Sequence, residues 1–85
     1  MCRNIKTLFN FDPPASNEEI RASARQFVSK LSGTARPSKA NETAFDLAVV
    51  EIEEATRKLI DSLVTSAQPR NRELEADKRK RRTAQ

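Results

Sequence analysis

The chain has no histidine, no tryptophan and no tyrosine, and a single cysteine and a single glycine among its 85 residues. With no histidine, and with Cys2 as the one thiol, a zinc or other transition-metal site lacks its usual ligands, so neither a metal nor another cofactor is expected. One cysteine also excludes an intramolecular disulfide. The longest apolar stretch, residues 47–50, is far short of the roughly 20 residues of a membrane-spanning helix. The opening Met-Cys-Arg-Asn-Ile-Lys lacks the apolar segment of a secretory signal, which makes a cytoplasmic location the expectation.

What the chain does contain describes a helical protein. Four phenylalanines, one glycine and abundant aliphatic and charged residues fit a modest core in an all-α fold rather than a turn-rich β-protein. A chain this size buries only about 60% of the surface exposed by its unfolded state, which leaves little room for a deep catalytic cleft. Charge divides the sequence in two. Residues 1–66 balance nine basic against nine acidic side chains, whereas residues 67–85 hold seven basic and three acidic and so carry the whole net charge of +4.

Hydrophobic spacing orders the first part. Ile5, Leu8 and Phe9 fit a short first helix, since the adjacent Leu8 and Phe9 break the alternation a strand would need. Asp12, Pro13 and Pro14 stop it. Ser16 with Glu19 three residues on is a capping box that predicts a helix from about 17, and Ile20, Ala24, Phe27, Val28 and Leu31 give it one apolar face. Gly33 is its left-handed stop.

A second helix is predicted over about 39–66, capped by Ser38 or Asn41, with Phe45, Ala48, Val49, Ile52, Thr56, Leu59, Ile60 and Leu63 recurring at threes and fours. The expected fold is an antiparallel two-helix hairpin, about 17–32 and 39–66, with a short N-terminal helix or capping segment. Residues 1–66 form its single domain, and residues 67–85 form a basic tail that is marginally helical or disordered. Ile5, Leu8, Phe9 and Phe11 join the two helical faces in the expected core. Two helices and a short cap leave part of their apolar surface over for a partner protein or a second copy.

Two resemblances attach to particular residues. Residues 1–11, then Pro13, Pro14 and Ala15, then Ser32-Gly33, Pro37-Ser38, Ala40-Asn41 and Phe45 resemble a family of small bacterial proteins described as an uncharacterised domain of unknown function, over residues 1 to about 72. That resemblance implies one compact unit and carries no chemistry. Its densest part turns attention to Arg3 and Asn4 as candidate binding residues, beside Cys2. The order of short helix, proline turn, capped helix and second long helix is also similar to the J-domain of co-chaperones. The J-domain works through a His-Pro-Asp motif, and with Ser32-Gly33-Thr34 near that place and no histidine in the chain, its ATPase-stimulating chemistry is excluded.

The remaining candidates are few. Removal of Met1 would expose Cys2 as an N-terminal nucleophile with its own amine as base and Arg3 favouring the thiolate, against the plain alternative of an inert small thiol. Glu51, Glu53 and Glu54 point to different sides of their helix and read as a solvated face. Thr56 reads as bonded to the carbonyl four residues back.

The run Lys78, Arg79, Lys80, Arg81 and Arg82 is an electrostatic footprint for polyanions such as nucleic acid. Its lack of aromatic residues excludes base stacking, and the plain alternative is a solvated terminus. With no convergent polar cluster, the sequence favours a non-enzymatic protein-interaction module. Non-specific nucleic-acid binding through the tail is the first alternative, and thiol chemistry at Cys2 the second.

Overall fold

Local chemistry sets both ends of the first helix, α1 (Asn17–Ser32), in the computed structural model, which describes residues 5–74. Ser16 Oγ accepts from the Glu19 amide at 3.1 Å, and Glu19 Oε1 accepts from the Ser16 amide at 3.0 Å, so both halves of the capping box are made. At the other end Gly33 takes the left-handed conformation, φ 79°, and donates to the Ser29 carbonyl at 3.0 Å. A Cβ at Gly33 would meet nothing within 4 Å. Gly33→Ala is therefore expected to cost only the backbone strain of that conformation, about 1 kcal/mol by urea unfolding. A loss indistinguishable from zero would show that the left-handed cap is dispensable.

The second helix differs at both ends from its expected span of 39–66. Residues Lys39–Asn41 form a 3-10 turn and α2 proper runs over Glu42–Ser62. Ser38 precedes the turn, but its Oγ accepts from Asn41 Nδ2 at 2.9 Å and makes no side-chain cap to the helix backbone. At the far end Leu63 is extended, and Val64 is 95% exposed. Residues 64–66 are exposed, so little packing rewards a further helical turn.

The two long helices pack together, with Arg57 of α2 donating to the Asn17 side chain, Arg21 Nε 4.0 Å from Glu53, and the Arg25 guanidinium over the Phe45 ring at 5.3 Å. Ala24, Val28, Phe45 and Val49 form the buried seam. Ile20, 1% exposed, joins Leu8 and Ala15 in a second cluster backed by Ile60, so the N-terminal segment is seated on the helix pair chiefly by Leu8 and Ala15.

Several expected core residues are not buried. Ile5, Phe27, Leu31, Leu59 and Leu63 are all exposed by two-fifths or more. Among the described residues the two long helices pack chiefly on each other, which covers a narrow line of each apolar face and leaves the flank open.

Residues 5–10 contain no helix, so the expected short first helix, and with it the first element of the J-domain order, is not formed there. Asn10 turns the chain at φ 63°, and the backbone finds its partner elsewhere: β1 (Phe11–Asp12) pairs in parallel with β2 (Arg70–Asn71), Phe11 opposite Arg70 and Asp12 opposite Asn71. This small parallel pair, absent from the expected architecture, joins the capping segment to residues beyond the expected boundary at 66. No helix among the described residues is long and apolar enough to cross a membrane.

Candidate functional site

The exposed flank of the helix pair and the N-terminal segment enclose an open groove of about 480 Å³. Ile5, Leu8 and Phe9 form one wall. Ala24 and Phe27 of α1 and Ile52, Leu59 and Ile60 of α2 supply the floor and the opposite wall, with Leu63 at the end. Its volume lies within the usual range for ligand-binding clefts, about 300–1,000 Å³.

Of the hydroxyls among the described lining residues, Thr7, Ser23 and Thr56, the two on the helices are engaged. Thr56 Oγ1 donates to the Ile52 carbonyl at 2.7 Å, and Ser23 Oγ donates to the Glu19 carbonyl at 3.0 Å, each within its own helix. Among the described residues Lys6 is the one charged lining residue, and its Nζ lies 3.9 Å from Glu19 Oε2. Such a surface supplies apolar contact and shape. Among the described residues it offers no paired acid and base.

Beside the groove a polar clasp fastens the N-terminal segment. Arg72 donates through Nη1 and Nη2 to both oxygens of Glu19, at 2.9 and 2.8 Å, and through Nε to the Pro13 carbonyl at 2.8 Å. Its guanidinium also lies over the Phe11 ring at 5.3 Å, with Arg70 over the same ring at 5.8 Å. Asn10 Nδ2 donates to the Gln68 carbonyl at 3.1 Å, and the Arg70 amide donates to the Asn10 carbonyl at 2.7 Å. The Arg72 guanidinium first, and the Ser16 amide second, hold the Glu19 carboxyl below its ordinary value near 4.5, against the opposing effect of burial.

The residues singled out in the sequence fall unevenly on this structure. Cys2, Arg3 and Asn4, and the run Lys78, Arg79, Lys80, Arg81 and Arg82, lie outside the described residues. Glu51 and Glu54 are exposed and Glu53 faces Arg21. Among the described residues no three His, Cys, Asp or Glu side chains sit together as a metal site would need. Asn10, Arg70 and Arg72 carried no sequence signal, because a contact between residues more than fifty apart leaves no local periodicity.

No curated protein and no solved structure gives a significant match to the chain. A family model does, over residues 1–78, and it describes an uncharacterised conserved protein. The chain belongs to that family, DUF2277.

Proposed function

We propose that this chain is a non-enzymatic interaction module whose apolar groove receives the apolar face of a helix from a partner protein in the cytosol. The carrying observation is the open groove itself, walled by Phe9, Phe27, Leu59 and Leu63, with the Ser23 and Thr56 hydroxyls bonded within their own helices. In this reading the two long helices form an antiparallel hairpin, supported by the pairing of Asn17 with Arg57 at one end and of Arg25 with Phe45 further along. A third helix laid along their open flank would meet large side chains on both helices and on the N-terminal segment, the arrangement by which helical peptides bind apolar grooves. The basic run Lys78 to Arg82 serves as an accessory arm for polyanions.

Leu59 is 57% and Phe27 44% exposed, so either can be replaced with little cost to folding. Leu59→Ser and Phe27→Ser are each expected to weaken partner capture from native cytosol by about tenfold or more, while the variants keep the wild-type unfolding midpoint. Capture unchanged in both variants refutes the groove. Capture abolished by nuclease points to the basic arm instead, and a concentration-dependent dimer by sedimentation, lost in both variants, makes a second copy the occupant.

A further inference from the structure

One wall of the groove touches the helix pair at few points: Leu8 is seated against Ile20 and Ile60, and Lys6 Nζ lies 3.9 Å from Glu19. Residues 5–10, which supply Ile5, Lys6, Leu8 and Phe9, form no regular element, and Leu8 is their one buried side chain. Further contacts run from this segment and the residues that follow it to residues 67–72. Asn10 is bonded to Gln68 and Arg70, β1 is paired with β2, and Arg72 closes on Pro13 and Glu19.

Glu19 is the hub of this arrangement. The same carboxylate caps α1 at Ser16, grips Arg72 and lies 3.9 Å from Lys6 in the groove wall. No residue of 67–72 lines the groove. A segment that fixes a wall without touching what the wall would contact is a positioning device.

We propose that residues 67–72 are a strap that sets the groove, with Arg72 as its positioning residue. This rests on the groove being a binding surface, as argued above. Releasing Arg72 removes its bonds to Pro13 and Glu19 and its place over the Phe11 ring together, so the wall from Ile5 to Phe9 loses its fixed distance from Phe27 and Leu59. The helix seam of Ala24, Val28, Phe45 and Val49 lies apart from the strap and stays closed.

The test uses the full chain with Arg72→Gln, which keeps a polar side chain but removes the charge and the paired donors, and Arg72→Lys, which keeps the charge without the fork. Hydrogen exchange is read at the amides of residues 5–12 and of the helix seam, and uptake of the neutral apolar dye Nile red is titrated in parallel. The strap predicts exchange at residues 5–12 faster by about tenfold or more in Arg72→Gln, little rescue in Arg72→Lys, unchanged protection in the seam, and a several-fold weaker dye affinity.

Exchange unchanged at residues 5–12 overturns the strap. Exchange accelerated equally in the seam also overturns it, because Arg72 then supports the whole fold. Faster exchange with unaltered dye uptake overturns the coupling between strap and groove. Wild-type protein that takes up no dye, or whose uptake is indifferent to Leu59→Ser, sinks the groove reading separately, and the exchange comparison still judges the strap.

Discussion

Phe45→Ala is expected to remove most of the stability of this protein. Phe45 is 5% exposed at the centre of the helix seam, where it packs with Ala24, Val28 and Val49 and carries the Arg25 guanidinium on its ring. Truncating a buried phenylalanine costs about 3–5 kcal/mol, through lost transfer free energy and the cavity left behind. A chain of this length holds on the order of 4–13 kcal/mol in total. Among the described residues the buried hydrophobic side chains are seven, two of them alanine and two valine, which places the protein toward the low end. Urea unfolding followed by helical circular dichroism should show the transition displaced almost to zero denaturant in Phe45→Ala, and only modestly in Phe45→Leu, which keeps most of the volume. A shift of less than about 1 kcal/mol in the alanine variant would mean that the helix seam is not where the fold is held.

Glu19→Ala carries the next largest effect, because one carboxylate serves the cap, the clasp and the groove wall. Loss of the reciprocal cap costs about 1 kcal/mol, and loss of the two charged hydrogen bonds to Arg72 about 1.5–3 kcal/mol. Arg72 is 31% exposed at its side chain, so water reaches it and keeps the sum near 3 kcal/mol.

The same interactions give this contribution a pH dependence of definite sign. Since the folded-state pKa of Glu19 is lowered, its stabilisation is complete above the ordinary value near 4.5 and is lost as pH falls through the lower folded value. The stability gap between wild type and Glu19→Ala, measured by urea unfolding, should therefore be wide at about pH 7 and narrow at about pH 3. An equal gap at both would show that the charge on Glu19 is not what holds Arg72.

The helices were legible in the sequence because their determinants are local. Ser16 and Glu19 are three residues apart and Gly33 acts on its own turn, so α1 is found over the residues that these signals mark. The end of α2 was not legible, since periodicity continues through Leu63 while the surface that would reward it does not. The same reason governs the groove. Phe27 and Leu59 fall on the apolar stripes, and only the placement of the neighbouring helix decides that they stay open. The clasp was invisible for the opposite reason: Glu19 had a sufficient local explanation in its cap, and nothing near it in sequence announces Arg72, 53 residues away.

The span between Arg72 and Pro13, 59 residues, also bears on the order in which contacts close during folding. Helices α1 and α2 can close on each other across the short connection between them, because their seam uses nothing further along the chain. The clasp closes a far longer loop, so refolding is expected to pair the helices first and fasten the N-terminal wall last. A partner that needs the finished groove is then expected to engage only after that last closure.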